Sequence, residues 1–321
     1  MLKDKRFCGL FVPHVTPFTE SGALDVESLE GLARYLASKQ GVAGLVSCAR
    51  IGEGPILAAE EKRKIYKIVG EVAREAGVVH FAAISPQSTD EAIAIVRDLE
   101  TLPVDAAMIF PPLLFAWGKV GGDLKYRFFE DVSQSSNLPL VLFQVPVASY
   151  WYDPETVCRI ARLDKVVAYK EASFNIDLFT QTLRQLKSQG STMTVLTGND
   201  RFVAESYVLG AKGALIGVSN LATEKWGAMD QAAQTGNYEM ATALQEELRE
   251  LKEIIFAEPI VDAVARIKVI LRHQGIIKTA TVRRPQLGVT AKEEKRLIAS
   301  YGRIIEKASV FVKEATIREI V

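Results

Sequence analysis

A lysine closes one of the apolar runs of this sequence. Lys170 ends the run 166–170, and Glu171 follows it directly. If the run is a strand whose end faces a dry cavity, loss of hydration lowers the pKa of the lysine and leaves a free amine near neutral pH. A free amine attacks a ketone or aldehyde to form an imine, which then accepts electrons from a neighbouring bond. The alternative is a structural lysine paired with Glu171 or another carboxylate at the rim, and position alone leaves both readings open.

The other reactive side chains are scattered along the chain. They include three histidines and three cysteines: His14, His80, His273, Cys8, Cys48 and Cys158. Metal sites need such ligands at short, characteristic spacings, which this sequence lacks. We therefore expect no metal and no cofactor. An odd number of widely spaced cysteines is typical of a reducing compartment, so we expect a cytoplasmic protein.

Eight short apolar runs are predicted to be the strands that position Lys170. They are 9–13, 43–48, 78–84, 106–110, 140–144, 166–170, 194–197 and 214–217. Amphipathic helical windows separate them, among them 26–38, 59–75, 89–99, 124–134, 154–161 and 178–188. Strands that alternate with helices pair in parallel, because each helix carries the chain back to the edge where the next strand starts.

Eight such units favour a closed (β/α)₈ TIM barrel over an open doubly wound sheet. Such barrels typically need about 250 residues. A doubly wound sheet would show a glycine-rich phosphate turn after its first strand, whereas residues 13–18 read Pro-His-Val-Thr-Pro-Phe. In a barrel the active site lies at the carboxyl ends of the strands, which is where Lys170 is found.

The pattern changes after the eighth run. Residues 237–253, 260–273 and 291–313 read as helices with no strands between them. We therefore predict a barrel over residues 1–225 and a C-terminal helical extension, residues 226–321, packed on the barrel. No Pro/Ser-rich linker or low-complexity segment marks a second independent domain.

Charge and hydropathy exclude several classes of partner. Lys plus Arg and Asp plus Glu both number 39 in 321 residues, so no basic excess is available for nucleic acid. No apolar run approaches the roughly 20 residues of a membrane helix, and the first residues do not read as a signal peptide. We expect neither a nucleic acid nor a membrane partner.

Several short motifs occur in a recognisable order along nearly the whole chain. They are Val15-Thr16-Pro17-Phe18, Gly52-Glu53, residues 57–63, Phe143-Gln144-Val145-Pro146, Tyr169-Lys170-Glu171-Ala172-Ser173, Gly198-Asn199-Asp200, residues 210–220 and Arg284-Pro285. In this order they resemble the dihydrodipicolinate synthase/N-acetylneuraminate lyase superfamily, as a divergent member. The resemblance implies a TIM barrel, an imine between Lys170 and pyruvate or another 2-oxo acid, and a homo-oligomer, dimer or tetramer.

The loop after the second run departs from the family pattern. It reads Ala49-Arg50-Ile51-Gly52-Glu53, where the family has Gly-Thr-Thr-Gly-Glu. The resemblance implies that the backbone N–H of Ile51 helps to hold the keto acid carboxylate. Arg50 could grip the same carboxylate through two hydrogen bonds, which suits a planar guanidinium. The alternative for Arg50 is a rim salt bridge, with Glu53 as the candidate partner.

The proton relay of the family is missing. Its catalytic tyrosine falls on Phe143, and a phenyl ring has no ionisable proton. The second relay tyrosine, which relatives take from a neighbouring subunit, falls near Leu113. The substrate-binding arginine falls on Ala148. A dihydrodipicolinate synthase needs all of these groups for its second substrate, so we expect that this chain is not a true synthase of that kind.

The remaining predicted substrate contacts are Phe143, Gln144, Gly198 and Leu215. Gln144 can orient water but cannot act as an acid. The stretch that begins at Gly198 resembles the place where relatives contact sugar hydroxyls, and its alternative is a helix N-cap. The backbone carbonyl of Leu215 aligns with one that relatives direct at the imine.

Three side chains outside the family pattern could replace the relay. Tyr150 and Tyr152 follow the fifth run, although packed loop aromatics are the favoured interpretation. His14 has a suitable unperturbed pKa of about 6.5, but strand alternation favours a structural histidine that points away from the mouth. The sequence does not choose among these groups.

Three functions stay open at this stage. The favoured one is a class I lyase that acts on pyruvate or another 2-oxo acid, as an aldolase, a dehydratase or a hydratase-aldolase. The second is a non-catalytic relative that binds a keto acid on Lys170 without turnover. The third is another barrel enzyme in which Lys170 is structural, and no set of metal ligands supports it.

Overall fold

The eight predicted strands form a closed parallel barrel in a computed structural model, which describes residues 4–118 and 120–318, with side chains as far as residue 305. The strands are β1 Gly9–Pro13, β2 Val42–Ser47, β3 Val79–Ile84, β4 Ala106–Ile109, β5 Leu140–Gln144, β6 Val166–Glu171, β7 Thr194–Thr197 and β8 Gly213–Leu215. They follow one another around the barrel in chain order, and β8 pairs with β1. The predicted TIM barrel is confirmed.

Eight helices surround the barrel and four follow it. The first group is α1 Val26–Ala37, α2 Ala59–Ala76, α3 Thr89–Leu99, α4 Gly122–Ser135, α5 Pro154–Ile160, α6 Ile176–Ser188, α7 Val203–Leu209 and α8 Thr223–Gln234. The C-terminal helices are α9 Tyr238–Glu247, α10 Arg249–Ile255, α11 Ala263–His273 and α12 Ala291–Arg318. None of the helices in the described residues is long and apolar enough to cross a bilayer.

Alternation along the strands divides the apolar side chains into two layers. Residues such as Leu45 and Leu142 face the surrounding helices, whereas Phe11, Phe81 and Leu196 fill the barrel interior. The rings of Phe11 and Phe81 stack with their centroids 4.4 Å apart. Because both faces of each strand are buried, the strands read as near-continuous apolar runs in the sequence.

The C-terminal extension differs in detail from the prediction. The window 237–253 is two helices, α9 and α10, because Leu248 leaves helical geometry at φ −87° and ψ 0°. Leu248 is buried, so the spacing of apolar residues continues from α9 into α10, and the sequence pattern does not reveal the bend. The predicted boundary between residues 225 and 226 falls within α8, and the division of the chain there stays a prediction.

Candidate active site

Lys170 points into the barrel interior near the carboxyl end of β6. Strand pairing places it between Phe143 of β5 and Leu196 of β7, and both of these side chains belong to the interior cluster. Its chain neighbour Tyr169 faces the helical layer. Side chains alternate between the two faces of a strand. The position of Lys170 in β6 therefore directs its amine into the barrel mouth rather than toward the helical layer.

The amine of Lys170 lies in a dry, apolar environment. The residue is 8% exposed, and its Nζ lies 4.2 Å from the centroid of the Phe143 ring. Burial lowers the pKa of Lys170 to about 7, and the charge of Asp200 opposes this effect only in part. A large fraction of the amine is therefore uncharged near neutral pH, as a nucleophile requires.

Glu171 does not pair with Lys170. Its carboxylate accepts hydrogen bonds from Asn199 Nδ2 at 2.6 Å and from the Ser173 N–H at 3.2 Å. Within the described residues Lys170 forms no ion pair. The alternative of a rim lysine held by Glu171 is therefore wrong, because alternation sends the two side chains to opposite faces of β6.

Gly198 has no side chain, and this leaves room for the side chain of Lys170. Its N–H donates to the Glu171 carbonyl at 2.6 Å, which continues the pairing of β6 with β7. A Cβ at this position would lie 3.0 Å from Lys170 Cε and 2.7 Å from Ala172 Cβ. The helix N-cap alternative for this stretch is wrong, because the cap residue of α7 is Phe202.

The loop after β2 is tightly folded over the mouth. Cys48 and Glu53 have φ angles of 58° and 55°, which are strained for residues other than glycine. A Cβ on Gly54 would lie only 1.7 Å from the Cys48 carbonyl oxygen. Thr16 Oγ1, which follows β1, donates to the Gly52 carbonyl at 2.7 Å and fixes the loop from the other side. Together these contacts hold Arg50 and Ile51 in place.

Arg50 forms no ion pair with any residue that the structure describes. Its side chain reaches solvent through the concave rim, yet burial among the surrounding protein atoms lowers its pKa, and the charge of Asp200 raises it. Its own charge lowers the pKa of Lys170. The alternative for Arg50, a rim salt bridge with Glu53, is absent from the described structure, because Glu53 pairs with Lys268 instead. The guanidinium of Arg50 is therefore available to an anionic substrate group.

Ile51, on the loop after β2, packs against the residues that follow β8, which Leu215 ends. Ile51 packs so closely that a Cβ on Gly217 would lie 2.8 Å from its Cγ1. Its N–H has no hydrogen-bond acceptor among the described residues, so it can donate to a ligand. Leu215 ends β8 and packs in the interior cluster with Phe143. The predicted roles of Ile51 and Leu215 toward a substrate stay predictions.

Phe143 and Gln144 separate to opposite faces of β5. Phe143 faces Lys170 and packs edge-on against Phe110 at 4.7 Å. Gln144 is fully buried, and its Oε1 accepts the Tyr152 N–H at 2.9 Å. The structure therefore brings Phe143 to the amine, whereas it directs Gln144 to the loop that precedes α5. A contact of Gln144 with substrate stays a prediction.

The tyrosines and His14 lie outside the mouth. Tyr152 is buried among Phe115 and Phe129 of the helical layer, and Tyr150 packs against the same layer. The Nε2 of His14 is 2.9 Å from Ser47 Oγ, and burial lowers the pKa of His14 to about 4. These groups are structural in this fold, as the packing and alternation arguments favoured.

Two residues that lie within the motifs quoted above, Asp200 and Asn220, belong to the site although the sequence assigned no individual role to either. Asn220 donates from Nδ2 to the Pro13 carbonyl at 2.9 Å and accepts from the Val15 N–H at 3.1 Å. It thereby joins the loops after β1 and β8. Asp200 is 7% exposed, and burial raises its pKa to about 6. A buried aspartate at a strand end is the signal that could have marked it.

No group of three or more His, Cys, Asp or Glu side chains in the described residues could hold a metal ion. The three cysteines are free thiols. Among the described residues the mouth offers an amine with a pKa lowered to about 7, a guanidinium without a carboxylate partner and a backbone N–H without an acceptor. These groups suit capture of a small molecule that carries both a carbonyl and a carboxylate.

Comparison with known proteins agrees with this geometry. The dihydrodipicolinate synthetase family matches residues 6–302. The 4-hydroxy-tetrahydrodipicolinate synthase of Moorella thermoacetica is 30% identical over 287 residues, which cover 89% of this chain and 94% of the relative. The synthase of Desulforudis audaxviator is 33% identical over 244 residues, with 75% of this chain and 80% of the relative covered.

Solved structures show the same fold. Dihydrodipicolinate synthase from Thermotoga maritima superimposes with a TM-score of 0.85 at 26% identity, covering 93% of this chain and 99% of that one. The chloride-inhibited enzyme from Acinetobacter baumannii, complexed with pyruvate, gives a TM-score of 0.83 at 25% identity, with 92% and 98% covered. The chain therefore belongs to the dihydrodipicolinate synthetase family of lyases.

Proposed function

We propose that this lyase forms an imine between Lys170 and pyruvate or another 2-oxo acid. One observation carries the proposal: a buried amine with a pKa of about 7 and no ion-pair partner in the described residues faces the barrel mouth. The uncharged amine attacks the C2 carbonyl, water leaves, and the C2–nitrogen double bond forms. The Phe143 ring, 4.2 Å from Nζ, favours the positive charge of the protonated imine.

The carboxylate of the 2-oxo acid is proposed to bind Arg50 and the Ile51 N–H. The guanidinium has no carboxylate partner in the described structure, and the N–H has no acceptor there. Both groups lie on the loop that closes over Lys170. A bidentate grip at this point orients the carbonyl carbon toward the amine.

The acceptor is proposed to differ from that of a dihydrodipicolinate synthase. Phe143 offers no proton, Leu113 is exposed on the loop after β4, and Ala148 offers no cation for a second carboxylate. The curated relatives bear the synthase name, whereas these three positions favour another aldol, dehydration or hydratase-aldolase reaction. The same vacant relay favours the second candidate, a relative that binds keto acids without turnover.

We also propose a homo-oligomer, a dimer or a tetramer. Among the described residues of the neighbouring loops after β4 and β5, four large apolar side chains are exposed: Leu113, Leu114, Trp117 and Val147. Trp117 is 75% exposed, and the turns on the two loops contact each other. An exposed apolar patch on a folded protein is typical of an interaction surface. A cytoplasmic location stays a prediction from the cysteine content.

Borohydride reduction with pyruvate tests the imine. We expect a reduced adduct on Lys170, located by peptide mass mapping, because borohydride converts the imine to a stable secondary amine. The Lys170→Met variant should give no adduct. Lys165→Met is the matched control, since Lys165 Nζ donates to Asn137 Oδ1 at the start of β6 and should leave the adduct unchanged.

Two outcomes would change the assignment. Wild-type protein that gives no adduct with pyruvate or other 2-oxo acids would contradict the proposal. An adduct without turnover across a panel of aldehydes and keto-deoxy acids would favour the binding protein over the lyase.

Replacement of Arg50 tests the carboxylate grip. We expect Arg50→Ala to raise KM for the 2-oxo acid about 10- to 100-fold with a smaller change in kcat, because a charge-assisted hydrogen bond contributes about 1.5–3 kcal/mol. Arg50→Lys should give an intermediate KM, since lysine keeps the charge but not the bidentate geometry. Arg63→Ala, which removes an exposed arginine paired with Asp98, is the control. An unchanged KM in Arg50→Ala would refute the grip.

A further inference from the structure

Turnover through an imine on Lys170 needs a group that carries protons. In the described site Phe143 stands where the family has its catalytic tyrosine. Formation of the enamine removes a proton from C3 of the 2-oxo acid, and bond formation to an aldehyde delivers a proton to the new alkoxide. Phe143 can do neither, and the hydroxyl of Tyr152 is buried in the helical layer. Another titratable group must face the imine for turnover to occur.

Building on the proposed imine chemistry, we propose that Asp200 is the catalytic acid–base, and that the acceptor aldehyde occupies the cavity that Asp200 lines beneath α10. The assignment rests on the position of Asp200 beside Lys170, on its unsatisfied carboxylate and on this cavity.

The strand register brings Asp200 to Lys170. Lys170 pairs with Leu196 of β7, and the chain then continues through Gly198, where an added Cβ would lie 3.0 Å from Lys170 Cε. Asp200 follows, is 7% exposed, and influences the pKa of Lys170 more strongly than any other charged group in the described structure. Arg50, across the mouth, also senses its charge. The carboxylate therefore shares the mouth with the amine.

The carboxylate of Asp200 has free hydrogen-bonding capacity. Among the described residues it accepts one long bond from another residue, from the Val218 N–H at 3.4 Å. Glu171, the other carboxylate nearby, is held by two shorter bonds and faces away. A buried carboxylate with open lone pairs is poised to accept a proton or a substrate hydroxyl.

Asp200 also lines a cavity of about 400 Å³. Phe174, Phe256 and Ile260 supply its apolar wall, and Lys252 of α10 lies on the same wall. This volume suits a small organic ligand. Asp200 thus lines a space that fits a small aldehyde with an apolar body, and its charge acts on the amine of Lys170.

The charges around Asp200 allow it to change protonation state near neutral pH. Burial raises its pKa to about 6, whereas Lys170 on β6 and Lys252 on α10 favour the ionised form. Arg201, Arg249 and Glu253 line the same cavity, and Arg249 pairs with Glu253. At pH 7 the carboxylate is mostly ionised and can act as the base; after it takes the proton it is an acid of suitable strength.

Asp200 alone carries out both proton transfers of the proposed reaction. The carboxylate of Asp200 removes a proton from C3, and the electron pair moves to give the neutral enamine. The enamine carbon then attacks the aldehyde carbon, and the protonated Asp200 returns its proton to the aldehyde oxygen. A protonated imine with a new hydroxyl group remains, and water hydrolyses it to free Lys170.

Exchange of the C3 protons of pyruvate in D₂O measures this step without an aldehyde. We expect Asp200→Asn to keep the borohydride adduct on Lys170 but to lose at least about 100-fold in C3 deuterium incorporation, the effect typical of general acid–base catalysis. Asp230→Asn is the matched control. Asp230 is another buried aspartate with a pKa of about 6, which accepts a hydrogen bond from Tyr207. It lies near Gly9 at the amino-terminal end of β1, so the control should exchange as wild type does.

The adduct and exchange measurements distinguish an error about Asp200 from an error about imine formation on Lys170. Asp200→Asn that keeps both the adduct and the wild-type exchange rate would overturn the role of Asp200 alone, whereas wild-type protein without an adduct would overturn both. If Asp200→Asn does not fold, the wild-type protein still decides. Its exchange rate at saturating pyruvate should fall as pH drops through about 6, and a flat profile between about pH 5 and 8 would refute the proposal.

Discussion

The Lys170→Met variant is expected to lose imine formation completely and yet to be more stable than the wild-type protein. The loss of chemistry follows because methionine has no nucleophilic nitrogen. The gain in stability follows from the lowered pKa of the buried amine, which is about 7 in place of the usual 10.5. Folding therefore costs on the order of 3–5 kcal/mol at this position when the unfolded chain holds a charged lysine.

The direction of the pH dependence follows from proton binding. Between about pH 7 and 10.5 the unfolded chain carries a proton on Lys170 that the folded chain has lost, so stability rises with pH through this window. The cost is fully present below about pH 7. We therefore expect the advantage of Lys170→Met to be largest near pH 6 and to shrink toward pH 10, as measured by urea unfolding.

A matched control makes the result interpretable. Lys165→Met removes a lysine whose Nζ donates to Asn137, and it should change stability by less than about 0.5 kcal/mol. A Lys170→Met protein that is less stable than wild type at pH 6 would contradict the expected cost of burying the Lys170 amine.

The same substitution at Lys268 should have the opposite effect. Lys268 is fully buried on α11, and its Nζ lies 2.5 Å from Glu53 Oε2 and 2.8 Å from the Thr281 carbonyl. Lys268→Met leaves Glu53 buried without its partner, so we expect a loss of about 3–5 kcal/mol in the free energy of unfolding. The apparent affinity for the 2-oxo acid should fall too, because Glu53 closes the loop that carries Arg50.

The expected loss of stability arises because Glu53 is left buried without its cationic partner, and not because the Lys268–Glu53 ion pair is itself strongly stabilising. Burial lowers the pKa of Lys268 to about 8 even though Glu53 raises it, so desolvation outweighs the attraction. The double variant Lys268→Met with Glu53→Gln removes both charges and should recover most of the lost stability. A single variant that costs less than about 1 kcal/mol would refute the structural role of the pair.

Local sequence patterns were sufficient to predict the barrel and the position of the Lys170 amine. Apolar runs that alternate with amphipathic windows predicted the eight strands, and β1, β5 and β7 have the predicted bounds. The position of Lys170 at the end of β6 then placed it at the carboxyl end of the barrel. These features depend on hydrophobic periodicity and strand order, which short stretches of sequence encode directly.

Which side chains share the mouth depends on the closed barrel. Lys170 and Glu171 are adjacent in sequence, yet they face opposite layers, and the charge of Asp200, which follows β7, acts on the amine because β7 pairs with β6. Glu53 meets Lys268 across a separation of 215 residues, and no local pattern predicts such a contact. Sequence by itself thus determined the fold and the position of the Lys170 amine in it. Tertiary structure decided the charges around that amine, because strand register and helix packing set distances between residues remote in the chain.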